Sequence, residues 1–209
     1  MLVWLSHAPQ PDLSADAPAV DRWHAGGNPF VVCRQRGAED DLAIGFCLAT
    51  PSLRPRRIAA QSIHDHIARI ARPPSLKEIA AARRNPEQAA AGCRDHAGAL
   101  AQLSAAAANA GLDIRVFGSW MWQTLTGDPH VSSDSDLDLL IDVSTAAEAD
   151  RAAALLQTAS ADSPLRVDGE FSISGKGEVH WREYLTGGPE LLIKSIATVR
   201  MIRRDDLWK

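Results

Sequence analysis

The sequence predicts an α+β protein in two parts: an N-terminal α+β module over residues 1–85, then a mixed sheet flanked by helices over residues 86–209. Three observations predict it. Two short apolar runs of strand length lie before residue 50. Asn85-Pro86 then opens a long Ala-rich helical stretch, an N-cap followed by proline at the first helical position. Beyond that stretch, strand-like runs alternate with capped helical segments as far as residue 195.

Taken in order, residues 1–25 are mixed, because Pro9, Pro11 and Pro18 interrupt any long element. Phe30–Arg34 and Leu42–Leu48 read as strands around a turn at Arg36–Asp41. Pro51 and Pro55 bound a loop carrying Arg54, Arg56 and Arg57, and Ile58–Ile70 has helical spacing. Ser75-Leu-Lys-Glu78 is a capping box for a short helix. The Ala-rich helix runs from Asn85 to about Ala110, where Gly111 stops it, and leads into a strand at Asp113–Phe117. A second capping box, Thr145 with Glu148, opens a helix to about Ala159. Leu165–Ser174 and Glu178–Tyr184 read as a hairpin turning at Gly175-Lys-Gly177, and Glu190–Ser195 as a further strand.

Composition narrows the function. The 209 residues carry a net charge of −4, which argues against a nucleic-acid partner. Cys33, Cys47 and Cys93 are odd in number and scattered, as expected in a reducing compartment. The N-terminus lacks the basic start of a signal peptide, and no apolar run reaches membrane-spanning length. The expectation is a cytoplasmic protein with no membrane partner.

The chemistry concentrates at Gly118-Ser119 and Ser135-Asp-Leu-Asp-Leu-Leu-Ile141. On a strand, residues i and i+2 share a face, so Asp136 and Asp138 present their carboxylates side by side. At about 4 Å and an effective dielectric near 20, such charges repel by roughly 4 kcal/mol. A hard cation between them removes the conflict, and Mg²⁺ with substrate phosphates is the usual occupant. A calcium loop is excluded: it needs glycine at its sixth position and glutamate at its twelfth, where this chain has Leu139 and Thr145. Gly118 lets backbone approach a phosphate, and Ser119 starts a helix whose amides face anions. Trp122 and Gln123 fall three and four residues after Ser119 and are candidates to border the substrate on that face, with a core aromatic as the alternative for Trp122, whereas Trp120 turns to the core. Lys194, in an apolar strand, is a candidate to neutralise a phosphate oxygen, with an edge lysine reaching water as the alternative. His64-Asp65-His66 carries no ligand role.

Gly118-Ser119, Trp122-Gln123, Leu125-Thr-Gly127 and Ser135–Leu140 together resemble the phosphoribosyl-dephospho-CoA transferases of malonate decarboxylase, within the nucleotidyltransferase superfamily. The chain departs from the pattern after Leu-Thr-Gly, where it reads Asp128-Pro-His130. The resemblance implies a nucleotidyltransferase-type sheet and a third acidic ligand on a later strand. Asp168 is favoured for it because it follows an apolar residue, with Glu170, on the same strand face, kept as the second choice. It also implies two Mg²⁺ ions held by Asp136, Asp138 and Asp168, triphosphoribosyl-dephospho-CoA as donor, and a serine of the apo acyl carrier subunit of malonate decarboxylase as acceptor. Diphosphate is the implied leaving group. The alternative is another Mg²⁺-dependent nucleotidyltransferase with a different acceptor. An acyl carrier is generally acidic, so the clusters Arg54, Arg56, Arg57 and Arg200, Arg203, Arg204, Lys209 are the expected docking cations.

Overall fold

The computed structural model describes residues 1–35, 40–50, 55–82, 94–162 and 164–209. Its contacts divide the chain into two units: residues 1–73 with 128–130, and residues 74–127 with 131–209. The division falls at Pro73–Pro74, N-terminal to the boundary read near residue 85, so the first capped helix belongs to the second unit. The N-cap read at Asn85-Pro86, the turn at 36–39, the loop residues 51–54 and Cys93 lie outside the described residues.

In the first unit, β1 (Leu2–Leu5), β2 (Gln10–Pro11), β3 (Phe30–Val32), β4 (Asp41–Leu48), β5 (Arg56–Ile63) and β6 (Ile67–Ala71) form one sheet in the order β2-β5-β4-β3-β1-β6. The helix α1 (Ala17–Ala25) accommodates Pro18 in its first turn, where no amide hydrogen bond is lost. Its Trp23 stacks on Phe46 with ring centroids 4.4 Å apart, and Phe30 meets Phe46 edge-on.

The helix expected at 58–70 is instead two strands, β5 and β6, which are not neighbours in the sheet and are joined by a 3₁₀ turn at His64–His66. Ile63 and Ile70 sit at helical spacing, but they are 39% and 58% exposed and define no core face. The residues that are buried alternate: Ile58, Ala60 and Ser62, with exposed neighbours between them. Period-two burial is what a strand needs, and the β4 register from Asp41↔Ile63 to Leu48↔Arg56 supplies its hydrogen bonds.

The second unit holds α2 (Leu76–Ala82), α3 (Arg94–Asn109), β7 (Ile114–Phe117), α4 (Gly118–Thr126), β8 (Leu137–Val143), α5 (Ala146–Asp162), β9 (Val167–Ile173), β10 (Gly177–His180), α6 (Trp181–Thr186), β11 (Glu190–Lys194) and β12 (Val199–Arg203). The sheet order is β12-β11-β10-β9-β8-β7, with β8 and β9 parallel across α5 and the other pairs antiparallel. This is the α+β class the sequence predicts. Both capping boxes form. Glu78 accepts from the Ser75 amide at 2.7 Å, and Glu148 donates its amide to Thr145 Oγ1 at 3.2 Å.

The expected strand at 178–184 ends at His180, and Trp181–Thr186 is helical because Trp181 and Tyr184, three apart, both bury. Along β8 and β9 every second residue is buried: Leu137, Leu139, Ile141 and Val143, then Val167, Gly169, Phe171 and Ile173. That face joins one apolar cluster with Leu100, Leu103 and Leu156 of the helices. The alternate face carries Asp138, Asp168 and Glu170.

Candidate active site

The turn from β7 into α4 fixes the first acidic group. Phe117 pairs with Asp138 across the antiparallel strands, and Gly118 follows with φ +67°. A Cβ at Gly118 would sit 1.9 Å from Asp138 Oδ2, so the Asp138 carboxylate lies directly on the glycine and no other residue fits. Gly118 is also the first residue of α4, so Asp138 lies where amides and the helix dipole favour negative charge.

Register separates the two candidates for the third carboxylate. The parallel pairing of β8 and β9 sets Asp138 opposite Asp168, whereas Glu170 is opposite Leu140. Residues so paired share a face and are nearest neighbours. Asp168 is further fixed by the Gly169 amide, which donates to Oδ1 at 2.9 Å, and by His180, whose Nε2 is 2.7 Å from the same oxygen. His180 Nδ1 accepts from the Arg182 amide at 3.2 Å, capping α6. That bond places the ring proton on Nε2, facing Asp168.

Asp136 precedes β8. Its Oδ1 is 2.8 Å from Arg166 Nε, and Arg166 Nη2 reaches Oδ2 at 3.3 Å. The Arg166 side chain is 67% exposed, and an ion pair that open to water contributes only about 0–1 kcal/mol. Arg182 is held differently: Nη2 donates to the Val167 carbonyl at 3.0 Å and the guanidinium lies 4.2 Å over the Trp181 ring. Asp136, Arg166, Asp168, His180 and Arg182 line one open cleft of about 420 Å³.

Glu170, Lys194, Trp122 and Gln123, also expected at the site, do not line that cleft. Glu170 accepts from Lys194 Nζ at 2.7 Å, which raises the lysine pKa above its usual value and commits its charge to the carboxylate. Glu178, beside them, has its pKa raised by burial and then by the Glu170 charge. Trp122 and Gln123, read as bordering the substrate, are 4% and 7% exposed. Gln123 Oε1 accepts from the Val131 amide at 2.8 Å and so anchors the chain that leads into β8. Both side chains are buried, while Ser119, one turn earlier on the same face, is half-buried. Trp120 is fully buried, as expected.

Arg166 and His180 escape a motif reading, because each is an isolated residue at a strand end and only the sheet brings it to a carboxylate. Among the described residues, no three His, Cys, Asp or Glu side chains stand as a ready-made metal cluster. Asp136 and Asp168 each face a cationic or N–H group instead. The donor chemistry nonetheless suits Mg²⁺. The donor set is all carboxylate oxygen, two of its members are strand neighbours, and the bare Gly118 turn opens onto Asp138.

The comparisons with known proteins agree over both units. The family model described as phosphoribosyl-dephospho-CoA transferase MdcG C-terminal domain matches residues 76–205, and the corresponding N-terminal domain model matches residues 1–73. A phosphoribosyl-dephospho-CoA transferase of Bradyrhizobium diazoefficiens is 35% identical over 92% of this chain and 81% of its own length. One from Xanthomonas campestris pv. campestris is 34% identical over 99% and 94%. No solved structure matches the chain.

Proposed function

The chain belongs to the phosphoribosyl-dephospho-CoA transferase family, and on that footing we propose that it moves the 5′-phosphoribosyl-dephospho-CoA group from triphosphoribosyl-dephospho-CoA to a serine of the apo acyl carrier subunit of malonate decarboxylase. The observation that carries the reading is Asp138, set against the Gly118 turn and in register with Asp168. Two carboxylates in strand register, one of them beside a helix N-terminus, support a site for a polyanion and its counter-cation.

In the reaction the serine Oγ forms a bond to the phosphorus nearest the ribose. The bond from that phosphorus to the bridging oxygen breaks, diphosphate leaves, and the serine proton is steered away by a carboxylate of the site. Asp136, Asp138 and Asp168 are the residues that would hold Mg²⁺, which would supply neutralisation of the charge on the transferring phosphate. Gly118 and the first amides of α4 bind the phosphates, with Ser119 at the same turn. His180 holds the Asp168 carboxylate in place, and Gly169 adds a backbone donor.

The test is incubation of the full chain with donor, Mg²⁺ and apo carrier, with the carrier weighed by mass spectrometry. A gain of one phosphoribosyl-dephospho-CoA group, with one diphosphate released per carrier, is expected. An unmodified carrier, or transfer of a nucleotide from ATP to another acceptor, overturns the assignment.

A further inference from the structure

We propose that Arg166 is a phosphate-binding residue of the donor site: it exchanges the Asp136 carboxylate for the donor's triphosphate when the site fills. This rests on the reading above, and it adds a residue that no motif marks.

The backbone of Arg166 is pinned to the site, since its carbonyl accepts from the Leu137 amide at 2.7 Å, at the start of β8. The side chain is not pinned in the same way. Its Nε and Nη2 fork onto Asp136, Nη1 reaches the Asp134 carbonyl at 3.3 Å, and two-thirds of it is open to water. The neighbouring cation behaves oppositely. Arg182 is anchored by the Val167 carbonyl and stacked on Trp181, so its position does not depend on any carboxylate.

Both arginines line the cleft that contains Asp136 and Asp168. A guanidinium fork matches a carboxylate and a phosphate equally well. Arg166 therefore gives Asp136 a cation in the free protein. Once Mg²⁺ claims Asp136, the freed fork faces a cleft in which the incoming triphosphate is its natural partner. Arg166 and the metal compete for one carboxylate, and they cooperate on one substrate.

That dual relation gives opposite signs in two binding measurements. Arg166→Ala is expected to bind Mn²⁺, used as a probe in the absence of nucleotide and read by electron paramagnetic resonance, several-fold more tightly than the parent. With Mg²⁺ present it is expected to bind inorganic triphosphate roughly tenfold more weakly by calorimetry. The KM for the donor should rise and the KM for the carrier stay unchanged. Arg166→Lys keeps the charge but loses the fork, and should fall between the two. Arg115→Ala, which removes an arginine bound to Asp113, controls for loss of one positive charge and should change neither reading. If Arg166→Ala does not fold, Arg166→Gln carries the same two measurements.

Unchanged Mn²⁺ and triphosphate affinities in a folded variant overturn the role of Arg166 alone. A parent protein that binds neither Mn²⁺ nor triphosphate overturns the reading of the site as well.

Discussion

Gly118 is the residue on which the site depends most directly. Its φ of +67° costs an L side chain about 1–2 kcal/mol, and a methyl group there would overlap the Asp138 carboxylate. Gly118→Ala is therefore expected to lower kcat by a hundredfold or more, because Asp138 must move, while far-UV circular dichroism stays unchanged. Asp138→Asn is expected to lose several kcal/mol of transition-state stabilisation, comparable to the ~3–4 kcal/mol of a lost oxyanion donor. It removes a like charge beside Asp168, so its Tm should be at or above the parent's; near-normal turnover would refute the ligand role. His180→Ala should lower turnover about 10–100-fold, as loss of a group that orients a metal ligand generally does, with the KM for the carrier unchanged. Glu178 gives a pH prediction. Its folded-state pKa lies above the ordinary 4.5, so between 4.5 and that raised value the folded state binds more protons than the unfolded one. The glutamate is neutral at low pH, and its destabilising effect develops as pH rises through that window. Glu178→Gln should thus raise Tm at pH 8 and leave it unchanged at pH 4; an equal shift at both would refute the assignment. Of these residues, Gly118 and Asp138 stand out in the sequence because each belongs to a short motif, Gly118-Ser119 and Asp136-Leu-Asp138. His180 was not, because nothing in its own segment distinguishes it from a surface histidine.

At the scale of elements, the helical reading of Ile58–Ile70 failed where the strands around it succeeded. Isoleucines at helical spacing imitate an amphipathic helix, but β5 is chosen by its pairing with β4 and by burial of Ile58 and Ala60. Ile58→Ala should cost about 2–4 kcal/mol, as a core truncation, and Ile70→Ala less than about 0.5 kcal/mol, as an exposed one. Equal losses in a urea titration would contradict the strand assignment. The segment before β8 depends on Gln123: Gln123→Leu leaves the Val131 amide without its acceptor at a cost of about 1–3 kcal/mol. A fall in Tm of several degrees is expected, with the KM for the donor hardly changed if Gln123 serves packing rather than substrate. The capping boxes and the β9–β10 turn were readable in advance because their hydrogen bonds close within four or five residues.

For the whole molecule, the net charge of −4 is less informative than where the cations go. The C-terminal cluster expected to dock an acidic carrier is largely engaged within the fold. Arg204 stacks on Tyr184 and bonds its carbonyl, and Arg203 and Lys209 both pair with Asp206. Arg56 pairs with the buried Asp16. Charge reversal at Arg204 is therefore expected to lower Tm, whereas Arg200, on the exposed edge strand β12, is the better probe of docking. Arg200→Glu should raise the KM for the carrier at low salt and lose that effect as salt screens it. The same division runs through the molecule. The sequence by itself determined the α+β class, the caps and the Gly-Ser turn, because each is written in residues within a few positions of one another. Only the tertiary structure decided that Asp168 rather than Glu170 neighbours Asp138, that Trp122 and Gln123 face inward, and that Arg166 and His180 join the cleft. Those outcomes follow from strand register and burial, which depend on which distant segments pair, and no local pattern encodes that choice.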